Sequence, residues 1–244
     1  MNFKHRIRQQ FSRAAADYDQ AAHLQSQCIE DLSLMLPAIQ GKHILDLGCG
    51  TGQALTVLQH QYPQALYYGL DLSESMLSIA QQKASHPSLI NADFDAIPLA
   101  QKSIDLIFSN LALQWSPDLH LSLQEAKRIL KLNGHLIFSS LTQGSLTELK
   151  ATHFLTHTSV ISALNQNGFM INTALQKKMR FYFSSVKKAL LSLKEIGANA
   201  CDTPHHQGLN ARSRIQELEA HYPHDQKGYP LSYEILLISA QKIS

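Results

Sequence analysis

His43–Gly52, HILDLGCGTG, followed by Tyr67–Ser73, YYGLDLS, is the stretch that decides the fold. A short apolar run at 43–47 enters a turn with glycine at 48, 50 and 52, and the pattern beyond it becomes helical. A second apolar run then ends in an acid, Asp71, about twenty residues on, where a strand-end carboxylate suits the two hydroxyls of a ribose. Backbone without a Cβ takes φ > 0 and lets a ligand come close. Together these features describe a nucleoside site at the carboxyl ends of parallel strands. The spacing G-x-G-x-G departs from the G-x-G-x-x-G of dinucleotide binders, which disfavours a dinucleotide oxidoreductase.

Outward from this centre the pattern alternates. Residues 3–36 read as one helix, stopped by Pro37 and Gly41 ahead of the 43–47 strand. A helix near 52–61, a strand at 66–71, a helix near 73–84 starting at Ser73 and a strand at 88–91 follow. SIDLIFSN, 103–110, reads as an apolar strand, then a helix near 117–130 leads through the turn Asn133–Gly134 into a strand at 135–140. A helix at 159–167 precedes two further strands, 170–183 and 232–240, with helical stretches between them. Strands alternating with helices predict an α/β fold, a parallel sheet covered on both faces.

The bulk numbers narrow the class. A chain of 244 residues with 44% apolar content fits one large domain or two small ones with an ample core. A formal charge of +2 gives no global field pointing to nucleic acid. Thirteen histidines are scattered, His205–His206 and the pair His153 and His157 among the close ones, so no metal site is expected. Cys28, Cys49 and Cys201 form no C-x-x-C and fit a reducing, cytoplasmic setting. No run approaches the roughly 18 apolar residues of a membrane span, and the basic start MNFKHRIRQQF lacks the apolar stretch of a signal peptide.

Asp46-Leu-Gly48-Cys-Gly50-Thr-Gly52 resembles motif I of the class I S-adenosylmethionine methyltransferases. The resemblance sharpens along the chain: Phe11–Gln25 (FSRAAADYDQAAHLQ), Leu70–Leu77 (LDLSESML), Ala92–Leu99 (ADFDAIPL), Ile104–Trp115 (IDLIFSNLALQW), Leu141–Leu149 (LTQGSLTEL), Ser192–Ala198 (SLKEIGA) and Tyr229–Leu236 (YPLSYEIL). In this order they resemble the malonyl-[acyl-carrier protein] O-methyltransferases of biotin synthesis. The resemblance implies a doubly wound, mostly parallel, Rossmann-like sheet of seven strands in a single domain over 1–244. It also implies an N-terminal helical lid at 1–40, a closing antiparallel hairpin and a helical insertion at 184–228. One departure stands out: ATHFLTHTS after Leu149 is shorter than the family's segment by a turn or two, which opens the site on that side or weakens the enzyme.

The same resemblance implies the cofactor S-adenosylmethionine and a malonyl-carrying acyl-carrier protein as partner, with malonyl-CoA as a further acceptor left open. Gly48 and Gly50, with Gly52 closing the motif, would lie against the methionine part, and Asp46 would accept from its ammonium, or else cap the turn. Asp71 would hold the ribose or cap the next helix, although Ser73 is the better cap. Leu72 and Met76 would flank adenine, with core packing the alternative for Met76. Asp93 would accept from the adenine amino group, with Phe94 nearby. Tyr18, on the lid, would place a carboxylate, with Phe11 beside it. Asn110, Gln114 and Trp115 follow the fourth strand, where the acceptor is met; Trp115 reads equally as a core anchor.

Methyl transfer to a carboxylate needs no general base, because the nucleophile is ionised above a pKa of about 4. The absence of a recognisable acid–base pair is consistent with that. From Lys177 to Lys194 there are six cations (Lys177, Lys178, Arg180, Lys187, Lys188, Lys194) and no acid, with Arg212 and Arg214 beyond. The run reads either as a solvated face or as a surface, notably Lys187 and Lys188, that steers the acidic carrier. Arg180, on a strand, reads equally as the partner of the malonyl carboxylate. The rivals are a small-molecule carboxyl or quinone-ring methyltransferase and, from another class, a non-catalytic S-adenosylmethionine-binding paralogue.

Overall fold

A computed structural model describes residues 3–198 and 211–243. The sequence positions Cys201 and His205–His206, and the side chains of Arg212 and Arg214, lie outside what is described. The strands are β1 (His43–Leu47), β2 (Leu66–Asp71), β3 (Ser88–Asn91), β4 (Ile104–Asn110), β5 (Leu130–Leu141), β6 (Phe169–Phe183) and β7 (Tyr229–Lys242). They form one seven-stranded sheet in the order β3-β2-β1-β4-β5-β7-β6. The first five pair in parallel, and β7 runs antiparallel to both β5 and β6.

Side chains alternate across a strand, and in β1, β4, β7 and the second half of β5 both faces are buried, which is why these segments read as nearly continuous apolar runs. Ile44, Leu106, Phe108 and Ile137 face one core with Leu24, Cys28 and Leu32 of the helix α3 (His23–Ser33). Leu45, Leu47, Ile107 and Phe138 face the other, with Leu123 and Ile129 of α6 (Leu119–Ile129) and Leu164 of α7 (His157–Gln166).

Two expectations change. The N-terminal helix is broken into α1 (Phe3–Ala14), α2 (Tyr18–Ala21) and α3. A straight helix of that length would span about 50 Å at 1.5 Å per residue and overshoot the sheet. The break is held by Asp19, whose carboxylate accepts from Thr51 Oγ1 and Gln53 Nε2 and pairs with Lys83. This ties the bend to the start of α4 (Gln53–Gln61) and the end of α5 (Glu74–Lys83). The second change is at Asn133–Gly134. Asn133 sits at φ 61° inside a continuous β5, where the pairing with β4 shifts register, so it makes an irregularity in the strand rather than a turn before it. Between β6 and β7 lie α8 (Val186–Glu195) and α9 (Ala211–His221). The short segment after Leu149 buries Phe154 in the core, so on this side an aromatic ring closes the wall.

Candidate active site

The first turn is built for close approach. Gly48 and Cys49 donate their N–H groups to the Leu70 carbonyl at 2.7 and 3.0 Å, which folds the turn back over the end of β2. Gly48 sits at φ +77°, and a Cβ there would lie 2.4 Å from the Ala112 Cβ. Gly50 sits at φ +53° with nothing within 4 Å of where its Cβ would be, so its bare face borders open space. Gly52 does not reach that space; a Cβ there would meet Ala80 of α5 at 3.0 Å, so its smallness serves helix packing.

The space is a cavity over the carboxyl ends of β1, β2 and β4, about 700 Å³ when its open mouth is counted. Its floor has Gly48, Gly50, Asp71, Leu72, Met76 and Asn110; Asp93 and Phe94 close one end and Trp115 the other; Phe11 and Tyr18 form the cover. These are eleven of the residues singled out from the sequence. Pattern reading missed Lys4, Ile7 and Arg8, which line the cavity from α1 at helical spacing below Phe11, and Leu111 and Ala112 after β4. A positive φ of 49° at Leu111, uncommon for a branched residue, marks the end of β4 as strained, but no sequence pattern announces it.

Asp71 accepts from Gly50 N–H at 2.9 Å and Ser73 N–H at 2.8 Å. Burial raises its pKa, against the lowering effect of those N–H groups. The helix cap belongs to Ser73, whose Oγ accepts from Met76 N–H at 3.3 Å. Met76 is 1% exposed and belongs to both core and cavity wall. Asp93 is shared: Lys4 holds one oxygen at 2.6 Å and the Asp95 N–H the other at 3.0 Å. Each carboxylate oxygen has two lone pairs, so an amino group still finds an acceptor there. Burial works against the Lys4 charge, yet the hydrogen bonds from Asp93 and Asp95 raise its pKa.

Asp46 lies beneath the turn, 1% exposed, and is not part of the cavity wall. Its Oδ2 has no hydrogen-bond partner among the described residues. Burial, and then the neighbouring Asp71 charge, push its pKa up to about 8. A cation above the turn is the group that would restore its ionised form.

On the cover, the Phe11 ring meets Tyr18 at 6.4 Å between centroids and meets Trp115 edge-on at 5.8 Å. Burial first, then the charges of Asp71 and Asp19, raise the Tyr18 pKa, so the phenol keeps its proton and is a donor at neutral pH. Asn110 is fixed at both ends, donating to the Gln25 carbonyl at 3.0 Å and accepting from Ser139 Oγ at 2.7 Å.

The remaining candidates lie elsewhere. Gln114 accepts from Leu141 N–H at 3.3 Å and faces a second, smaller cavity. Arg180 donates to Ser232 Oγ at 3.0 Å on the hairpin and does not line the main cavity. The cationic run is divided: Lys177 pairs with Asp31 at 2.6 Å and Lys178 with Glu234 at 2.7 Å. Acids from other elements neutralise them, and a reading of neighbours in sequence could not see those acids. Lys187 and Lys188 stand exposed on α8, which packs against α1. No group of three or more metal-ligating side chains occurs among the described residues, and no helix among them is long and apolar enough to cross a membrane.

Comparison with known proteins gives three findings. A family described as "Methyltransferase domain" matches residues 45–138. The malonyl-[acyl-carrier protein] O-methyltransferase of Herminiimonas arsenicoxydans is 34% identical, over 98% of this chain and 96% of its own, and that of Erwinia billingiae is 37% identical over 96% and 95%. Among solved structures, an S-adenosylmethionine-dependent methyltransferase from Mesorhizobium loti superposes with a TM-score of 0.55 at 24% identity, covering 87% of this chain and 96% of its own, a likeness of fold.

Proposed function

The chain belongs to the malonyl-[acyl-carrier protein] O-methyltransferases, and from that premise we propose that it esterifies the free carboxylate of a malonyl group carried on acyl-carrier protein, with S-adenosylmethionine as methyl donor. The residues present suit that donor. The bare face of Gly50 leaves room for it, and the unpartnered Asp46 Oδ2 lies under the turn where its ammonium would rest. Asp71 would take the ribose hydroxyls, Asp93 the adenine amino group, and Leu72, Met76 and Phe94 the faces of the ring.

When bound, S-adenosylmethionine supplies a methyl carbon on a positively charged sulfur. The acceptor carboxylate, ionised above a pKa of about 4, would take that methyl without a general base. The protein's part is to hold the two partners in line and dry, an effect worth up to roughly 7–11 kcal/mol in favourable cases. The protonated Tyr18 donates to the carboxylate oxygen that does not attack. Phe11 and Trp115 exclude water from the junction. The observation that carries this reading is that Phe11, Tyr18 and Trp115 belong to two cavities at once, the nucleoside cavity and an apolar one beside it.

The carrier would dock on the face where α1 and α8 meet, with Lys187 and Lys188 steering it, and malonyl-CoA is a second acceptor within the same reading. The reaction is placed in the cytoplasm, in keeping with the buried free thiols Cys28 and Cys49. Methyl transfer from labelled S-adenosylmethionine is the test. Label should appear in malonyl-carrier protein and not in acetyl-carrier protein. Transfer to free malonate at equal efficiency would favour a small-molecule enzyme, and transfer to nothing would favour a non-catalytic paralogue.

A further inference from the structure

The second cavity lies beside the first and shares Phe11, Tyr18, Leu111 and Trp115 with it. Beyond them its wall is mostly aliphatic and aromatic, with Phe154 and Leu193 among its residues, and it holds two carboxamides, Gln25 and Gln114. Gln25 is 9% exposed, and its Oε1 is buried without a partner. A buried acceptor left unpaired is costly, so it calls for an explanation. The amide nitrogen of the same side chain faces the Tyr18 phenol oxygen, so the oxygen is the atom left without a partner. The Gln25 backbone is also held, its carbonyl accepting from Asn110. Gln114 presents the complement: its Oε1 is taken by Leu141 N–H, which leaves its NH2 group as a donor.

An acceptor oxygen cannot face the reacting carboxylate, which is itself acceptor-only when ionised. A malonyl thioester has no N–H or O–H of its own at neutral pH. The first donor along a carrier's thioester arm is the secondary amide two carbons beyond the sulfur. We propose that Gln25 is a specificity residue for this amide, its Oε1 accepting the arm's N–H while the Gln114 NH2 donates to the arm's carbonyl. The apolar wall then receives the sulfur and methylenes, and the carboxylate lies forward at Tyr18. This rests on the acceptor being a malonyl thioester. Carrier-bound and coenzyme A-bound arms share the amide.

The test compares two malonyl thioesters of similar length, one of N-acetylcysteamine, which has the amide, and one of pentanethiol, which lacks it. With saturating S-adenosylmethionine the parent should show kcat/KM at least about tenfold higher for the amide thioester, since a site built to hydrogen-bond a group rejects the analogue lacking it. In Gln25→Met the preference should fall to within about twofold, although both rates drop together through the loosened Tyr18. Gln25→Glu, which keeps an acceptor oxygen, should retain the preference, and S-adenosylmethionine affinity by calorimetry should hold in both variants. Equal use of the two thioesters by the parent, or an undiminished preference in Gln25→Met, overturns the inference while leaving the reaction intact. A parent that methylates neither thioester, nor malonyl-carrier protein, overturns the proposed function and the inference with it. Malonyl-carrier protein and malonyl-CoA run in parallel identify the source of the arm: loss in Gln25→Met on one alone names that one.

Discussion

The two flanks of the sheet are built from the same strand chemistry to opposite ends. On the β1–β4 flank the strands are four to seven residues long, and their carboxyl ends hold Asp71, Asn110 and three glycines at positive φ. On the other flank β6 and β7 run for 15 and 14 residues in antiparallel register, and their charged side chains are tied up: Lys178 to Glu234, Lys177 to Asp31, Arg180 to Ser232. Short parallel strands expose many ends per unit of sheet, and ends are where backbone N–H groups and acids are free to meet a ligand. Long antiparallel strands expose few ends and make a brace. A polar residue on the first flank should therefore act on binding, and one on the second chiefly on stability or not at all.

The hardest blow to this contrast comes at Asp71. Asp71→Ala should weaken S-adenosylmethionine binding by about 1–3 kcal/mol, since a charged acceptor is lost and the Gly50 and Ser73 N–H groups lose theirs. Calorimetry on the folded variant measures it, and an unchanged dissociation constant would break the contrast.

Asp46 gives a smaller effect with a definite sign. Its folded pKa of about 8 stands above the ordinary aspartate value of 3.8, so the folded chain keeps a proton that the unfolded chain releases. Stability in the absence of ligand should then fall as pH rises through the window from 4 to 8. Asp46→Asn should melt above the parent by a margin that widens toward pH 8, where each kcal/mol amounts to about 2–4 °C in a domain of this size. In the parent, binding of a cationic ammonium should expel the proton, visible at pH 7 as a binding heat that depends on the buffer's ionisation enthalpy. Buffer-independent heat would mean that the ammonium rests elsewhere.

The mildest test sets the two halves of the cationic run against each other. Reversing Lys187 and Lys188 to Glu should slow the reaction with malonyl-carrier protein several-fold at low salt, less as salt screens charges over about 8–10 Å, and leave S-adenosylmethionine affinity alone. Reversing Lys177 and Lys178, which face Asp31 and Glu234, should lower stability and change the carrier rate little. Equal rate effects from both pairs would make the run a diffuse field rather than a docking face.

What could be read from the chain follows the same divide. Motif, turn and acid on the first flank are local, because a glycine turn and the strand after it impose their spacing on neighbouring residues. Ser73 as cap and Asp71 at the strand end were both legible in this way. The cover was not. Tyr18, Gln25 and Asn110 meet through contacts across many residues, and the bend that aims Tyr18 depends on Asp19 finding Thr51, Gln53 and Lys83. Lys4 and Arg8 enter the cavity only because α1 lies across it, and nothing in their local sequence marks them. Lys177 and Arg180 looked free for the same reason, since their partners come from other elements.

Trp115 is the only tryptophan in the chain. Its ring lies in the walls of both cavities and meets the Phe11 ring of the cover edge-on. Any lifting of α1, or any ligand arriving on either side, changes the surroundings of that one indole and of no other. The protein therefore carries its own optical gauge: a stopped-flow trace of intrinsic emission follows the opening and filling of the site without a label.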